Sequence, residues 1–288
     1  MRRPVLAVIG GSGLYEMDGL TGPIEEVRVA TPFGDPSDAI VVGELEGVPV
    51  AFLSRHGRGH RISPTEIPQR ANIWALKSLG VERVLSISAV GSMREEYRPL
   101  DLLIPDQLLD RTRHRPATFF GGGLVVHTGF ADPFCPALSG ALAAAAGEQS
   151  RRVHVGGTYV CIEGPQFSTR AESRIFRQWG VDVIGMTALP EARLAREAEL
   201  CYATLALITD YDVWHVAEGP VTVEMVVANL LKNVAVAKDT VRRLVPRLAA
   251  LPSCDCGHSL ASAIITQRDL VPAKVKADLA PIIGKYFG

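Results

Sequence analysis

Several things are scarce in this chain, and each scarcity removes a class of function. Charge of one sign is the first: 30 basic residues oppose 31 acidic ones, a net charge of −1. Bulk electrostatics therefore argue against a protein that works on nucleic acid or a membrane surface, so an anionic ligand must be held by a few placed groups. Long apolar runs are the second. No window approaches the roughly 20 apolar residues needed to span a bilayer. The run VLAVIG after Met1-Arg2-Arg3 is too short for a signal peptide and dissolves into GGSG, so a cytoplasmic location is expected. Internal repeats and low-complexity linkers are missing too. The reading is one domain, with residues 1–250 as a catalytic body and 251–288 as an extension packed on it. Asn and Gln are few and Arg outnumbers Lys, a bias that a hot-living source or GC-rich coding would equally produce.

Metal-ligand spacing is also wanting. Of the five cysteines, Cys135, Cys161 and Cys201 sit in apolar surroundings and read as small buried hydrophobes. Cys254-Asp255-Cys256, followed by His258, lacks ligand partners at the usual zinc spacings, so no metal is expected there. A disulfide between Cys254 and Cys256, stabilising the tail, is the expectation instead.

What is present is an alternation of buried strands and helices, 47% hydrophobic and 21% charged, as in an ordinary α/β globule. Residues 4–9 form a first strand that runs into Gly10-Gly11-Ser12-Gly13, a turn where backbone N–H groups can approach an anion. G-x-G-x-x-G would need a glycine where Glu16 stands, so the dinucleotide fingerprint fails. Residues 39–44 and 48–54 read as a hairpin through Gly47, and the second strand ends in Arg55-His56-Gly57-Arg58. Residues 64–79 have helical spacing, and residues 81–88 form a strand ending in Ser88-Ala89-Val90-Gly91-Ser92. Residues 101–106 are a short strand, 110–135 an irregular excursion, and 137–148 a helix of small residues. Residues 157–173 read strand, Gly-Pro break, helix, with a capping box from Thr169 to Glu172; Phe167 before it is a buried staple or a stacking platform. A strand at 181–187 and a helix at 190–202 follow. Thr222 caps a long helix whose apolar face carries Val223, Val226, Val227, Leu230, Leu231 and Val234.

The pattern centres on residues 205–215, LALITDYDVWH, a buried strand ending in two acids. On a strand, Asp210 and Asp212 would share a face, and ligands of open α/β sheets sit outside the carboxyl ends of strands. Hydroxyl-bearing turns, an Arg-His pair, a stacking candidate and two acids suit a ligand with an anion at one end and a hydrogen-bonding aromatic ring at the other. Phosphate with a purine nucleoside fits.

Those residues also carry a resemblance. IGGSGL, TPFGDPSD (31–38), SRHGRGH (54–60), ANIWALKSLG (71–80), AVGS-REE (89–96), DPFCP (132–136), EGPQFSTRAES (163–173), IGMT-LPEA-LAREAELCYA (184–203) and TDYD-WH (209–215) resemble, in that order, the methylthioadenosine phosphorylase branch of the trimeric purine nucleoside phosphorylase family. The resemblance covers about residues 5–245. It implies a single α/β domain with a central mixed, twisted sheet flanked by helices. It implies a phosphate site of Ser12, Arg55, His56, Ser88, Ala89 and Thr187, with serine at 12 and 88 where some members carry threonine. Met186 resembles the residue against the ribose, Phe167 and Ser168 the base-side wall, and Asp210 and Asp212 the purine-bonding pair. Val223 and Val226 resemble the lining of the 5′-alkylthio pocket, and His127 a residue reaching it from a neighbouring subunit of a trimer or a dimer of trimers. Bacterial members often carry Asn where Ala188 stands.

The implied reaction is phosphorolysis of S-methyl-5′-thioadenosine to adenine and 5-methylthioribose 1-phosphate, with inorganic phosphate as co-substrate and no cofactor. Such a reaction passes through an oxocarbenium-like sugar. Adenine departs more readily with N7 protonated, for which Asp210 would need a pKa above the carboxylate's ordinary value of about 3.9. A carboxylate accepts from a 6-amino group and meets a lone pair at a 6-oxo group, which favours adenine. The alternative is a 6-oxopurine or broad-range phosphorylase acting on inosine or guanosine; a non-catalytic nucleotide-binding module stands further off.

Overall fold

The computed structural model describes residues 2–11, 17–215 and 222–287. Four strands make the parallel heart of the sheet. They are β1 (Leu6–Gly10), β4 (Val48–Ser54), β5 (Arg83–Ser92) and β11 (Cys201–Asp210), in the spatial order β4-β1-β5-β11. Past the end of β1, β5 runs on beside β11 and its last residues pair antiparallel with β10 (Val183–Gly185). Beyond β10 lie β9 (Thr158–Ile162) and β7 (Gln107–Arg111), parallel to it in turn. The opposite margin is β3 (Ile40–Leu45) and then β2 (Thr21–Val27), both antiparallel. Off the far side of β11 hang β6 (Leu102–Ile104), antiparallel, and β8 (Val153–Val155). The sheet is mixed, as expected.

Side-chain alternation divides the core in two. Ala7 and Ile9 of β1, with Ala206 and Ile208 of β11, point to one face; Leu6, Val8, Leu205 and Leu207 point to the other. The first face is covered by α1 (Gln69–Ser78) and α4 (Ala188–Glu197), the second by α2 (Pro136–Gly147) and α5 (Val223–Leu244). α3 (Arg170–Gln178) covers a smaller cluster around Met93, Val160, Phe176 and Ile184. The C-terminal segment adds α6 (Ala273–Asp278) and α7 (Ala280–Phe287), and its Ile282 and Ile283 join the first core. Trp74 of α1 donates to the Asp278 carbonyl at 2.9 Å.

The predicted elements are found with shifted ends. α1 starts at Gln69 rather than 64 because residues preceding Pro64 and Pro68 are steered away from the α region. α4 stops at Glu197, and Glu199 at φ 54° turns the chain directly into β11, so residues 198–202 are not helix. The hairpin turn has Glu46 and Gly47 both at positive φ, the geometry a two-residue turn needs. β2, β7 and β8 escaped the sequence reading; β2 carries Pro23 and three polar residues on an exposed margin, so no apolar alternation marks it. The capping box of α3 is as predicted: Thr169 and Glu172 bond reciprocally.

Candidate active site

The carboxyl ends of β1, β4 and β11 open onto one cavity of about 460 Å³, which the middle of β5 and the end of β10 also line. It collects Arg55, His56, Ser88, Ala89, Phe167, Ser168, Met186, Thr187, Asp210, Asp212, Val223 and Val226, twelve of the fourteen predicted positions. Ser12 lies outside the described residues. His127 lies outside the cavity of its own chain, exposed, with its backbone N–H bonded to the Ala263 carbonyl at 2.9 Å.

Arg55 follows β4 directly and is 1% exposed. Its Nε and Nη2 meet the two oxygens of Glu191 at 2.9 and 3.1 Å, Nη2 also reaches Ser86 Oγ at 2.8 Å and Ile9 O at 3.1 Å, and Nη1 donates to Ile87 O at 3.0 Å. Burial alone would weaken its hold on the proton; the Glu191 carboxylate more than offsets this, and the guanidinium pKa is raised. Tyr202 Oη donates to the same carboxylate at 2.9 Å. The basic side chain expected at the phosphate site is thus a pinned, buried cation bordering the cavity.

His56 is neutral at pH 7. Burial, reinforced by the Arg55 charge, pushes its imidazole down to about 4. Nδ1 stands 2.8 Å from the Ile62 carbonyl, so that nitrogen donates and Nε2 is left as an acceptor; His60 stacks on the ring at 4.2 Å. The hydroxyls of Ser88 and Thr187, both buried, have no hydrogen-bond partner among the described residues. Buried hydroxyls without partners beside a cavity are poised for a ligand acceptor. Gly185, which also lines the cavity, lies against Tyr159: a Cβ there would overlap the Tyr159 hydroxyl.

The two acids reach the cavity differently from the strand-face expectation. β11 ends at Asp210 with a bulge between Ile208 and Asp210, and Asp212 begins a 3-10 turn at φ 51°. They are joined by the Asp212 N–H, which donates to Asp210 Oδ1 at 2.8 Å. Ser168 Oγ donates to Asp212 Oδ2 at 2.8 Å. Burial raises the Asp212 pKa, opposed by the Ser173 and Ser168 hydroxyls. Thr209 Oγ1 lies 2.7 Å from Asp210 Oδ2 and 3.2 Å from the Val90 carbonyl. A hydroxyl has one proton, so Thr209 donates to one of these two oxygens at a time. Gly91 makes this approach possible: a Cβ there would stand 2.9 Å from Asp210 Oδ1.

At the opposite end the cavity is apolar, lined by Val223, Val226, Val227, Leu230 and Leu231 of α5. The apolar face of α5 is buried only from Val234 onward; Val223 is 61% exposed. Phe167, 39% exposed, borders the cavity and is not a buried staple.

The sequence profile of the phosphorylase superfamily matches residues 5–246. The chain belongs to the phosphorylase superfamily. It is 58% identical, over 98% of its length and 95% of the other's, to the S-methyl-5′-thioadenosine phosphorylase of Gloeobacter violaceus. Its fold superimposes with a TM-score of 0.92 on a methylthioadenosine phosphorylase from an antarctic soil metagenomic library, at 49% identity over 97% and 98% of the two chains. The methylthioadenosine phosphorylase of Schistosoma mansoni, solved with adenine, aligns at 34% identity over 98% of each chain with a TM-score of 0.83.

Within this superfamily fold, several residues that build the site were not singled out beforehand. Glu191 and Tyr202 hold Arg55; the signal was an acid within the apolar LPEA segment. Arg115 donates to the carbonyls of Met186, Leu189 and Glu163 at 2.7, 2.7 and 2.6 Å and so ties together the loops after β9 and β10. Asn229 of α5 donates to Thr209 O at 2.7 Å and seats the helix on the end of β11.

Proposed function

We propose that this chain catalyses phosphorolysis of S-methyl-5′-thioadenosine, yielding adenine and 5-methylthioribose 1-phosphate. The carrying observation is one cavity with unpartnered Ser88 and Thr187 hydroxyls at one end, the Asp210–Asp212 pair beside it, and an apolar helix face at the other. The shared name of its relatives supports the same reading.

Phosphate sits between Ser88, Thr187 and the backbone at Ala89, with Arg55 as the fixed positive charge behind it; Ser12, outside the described residues, is the further hydroxyl that the family resemblance implies for this site. His56 Nε2 accepts a hydrogen bond from the protonated oxygen of HPO₄²⁻, which orients the nucleophilic oxygen. That oxygen bonds to C1′ as the C1′–N9 bond breaks and its electron pair passes into the purine. Asp210 delivers a proton to N7, and the proton that phosphate brought in restores it. Asp212, fixed by Ser168, accepts from the 6-amino group, and Phe167 faces the ring. Met186 packs against the ribose and Val223 and Val226 enclose the methylthio group, where a hydroxyl would lose its hydrogen bonds. Phosphate serves as nucleophile and counter-charge, so positioning and electrostatics carry the rate and no cofactor enters.

His127 reaches the alkylthio end of a neighbouring subunit's cavity, in a trimer or a dimer of trimers. Val155, Trp179, Ile265 and Leu270, all more than half exposed, are apolar surface for such packing. Among the described residues no helix is long and apolar enough to cross a membrane.

The test is adenine release from methylthioadenosine with and without inorganic phosphate, beside an inosine control. Phosphate-dependent release with little turnover of inosine is expected. Comparable turnover of inosine would overturn the reading of the two aspartates.

A further inference from the structure

At the end of β11 remote from Asp210, four cysteines converge. Cys135 is the N-cap of α2, Cys201 is the first residue of β11, and Cys254 precedes and Cys256 belongs to a 3-10 turn (Asp255–His258) in the C-terminal segment. Their sulfurs all lie within 4.8 Å of one another, and Cys201 Sγ and Cys254 Sγ are 3.4 Å apart. A tetrahedral tetrathiolate with metal–sulfur bonds of about 2.3 Å has sulfur–sulfur edges of about 3.8 Å, a value these separations bracket.

We propose that Cys135, Cys201, Cys254 and Cys256 form a structural zinc site. Four soft thiolates leave no open coordination position, the pattern of a structural rather than a catalytic zinc. The site is shielded: Cys135 and Cys256 are 1% and 5% exposed, and all four belong to the apolar cluster that includes Leu138, Val245 and Leu248. Cys135 also stands at the N-terminus of a twelve-residue helix, which favours a thiolate there. None of the five cysteines is joined in a disulfide, which corrects the expected Cys254–Cys256 bond. Two disulfides would require only paired sulfurs, whereas here each of four sulfurs is close to all three others. Sequence neighbours of Cys254 and Cys256 do not complete a ligand set; the fold supplies Cys135 and Cys201. Cys161, the fifth cysteine, lies apart, buried and bonded to the Leu189 backbone.

Loading exchanges four S–H bonds for four S–Zn bonds, with the protons released to solvent. The ion would staple residues 254–256 to α2 and β11, so that its binding energy becomes stability of the C-terminal segment.

The experiment is metal analysis of protein purified under reducing conditions without chelator. It should find about one zinc per chain, and Co²⁺ in place of zinc should give the intense visible bands of a tetrahedral thiolate complex. Cys254→Ser should lower zinc content about tenfold or more, while Cys161→Ser retains it. Zinc removal should lower Tm and open residues 251–288 to protease. No zinc uptake by the reduced protein, with all four thiols alkylatable, would overturn the proposal. So would disulfides mapped among the four in freshly purified, zinc-free protein, or one equivalent of iron in zinc's place. If Cys254→Ser does not fold, the Co²⁺ spectrum of the unaltered chain still decides.

Discussion

The two ends of the cavity are built on opposite terms. At the polar end Arg55 is gripped by Glu191, Ser86 and two carbonyls, and His56 by Ile62, so the groups that would meet an anion are fixed before it arrives. At the apolar end Val223, Val227 and Leu231 stand exposed on one side of α5. The contrast teaches that charge must be preorganised and solvent-excluded to act strongly, whereas an apolar wall needs only shape and a cover. The polar end should therefore govern rate and stability together, and the apolar end selectivity alone.

The harshest test of that division is Asp210→Asn, at the polar side. It should lower kcat on methylthioadenosine by about 10²–10⁴, the usual worth of a general acid, with the phosphate KM nearly unchanged. Steady-state kinetics with phosphate varied would check this, and an intact kcat would strip Asp210 of its role.

Glu191→Ala comes next. Removing one partner of a buried ion pair strands the other, so a loss of about 3–5 kcal/mol is expected in urea unfolding. A loss under about 1 kcal/mol would mean that Arg55 does not depend on this partner and that the polar end is less preorganised than it looks.

The pH dependence of stability is smaller and has a definite sign. His56 has a folded pKa of about 4, below its ordinary 6.5. The unfolded chain binds the proton more readily, so this contribution is complete above pH 6.5 and is lost as pH falls to 4, by up to about 3 kcal/mol. Glu197 acts oppositely: burial lifts its carboxyl to about 7, so its contribution is present below 4.5 and lost as pH rises toward 7. The difference between the parent and His56→Gln, melted from pH 4 to 7, isolates the first effect. Parallel curves would show that His56 is not held neutral.

Val223→Ser should have the smallest effect and the most selective one. It should shift preference from methylthioadenosine toward adenosine by about 1–2 kcal/mol in kcat/KM, while stability moves by no more than about 0.5 kcal/mol. A large fall in Tm would place Val223 in the core and erase the contrast.

Most of the cavity was legible because its residues follow strand ends, and strand ends announce themselves as apolar runs broken by Gly, Ser or Asp. Ser88, Thr187 and Asp210 were found this way. Glu191 was not, since an acid within the apolar LPEA segment does not name its partner; its reason is Arg55, 136 residues earlier. The relation of Asp212 to Asp210 was read as strand alternation and turned out to be a bulge and a left-handed turn, which periodicity cannot encode. β2 and β8 were invisible because marginal strands need no continuous apolar face.

By itself, then, the amino-acid order determined the alternation of strands and helices, the α3 cap, the absence of a strong charge field and the residue types at the strand ends. These are local properties, set by neighbours within a turn or two of chain. Only the tertiary structure decided that Arg55 is buried against Glu191, that the N-terminal half of α5 lines a cavity instead of a core, and that four distant cysteines share one point. Those depend on how the two faces of a twisted sheet bring remote segments together, and no periodicity within the chain records it.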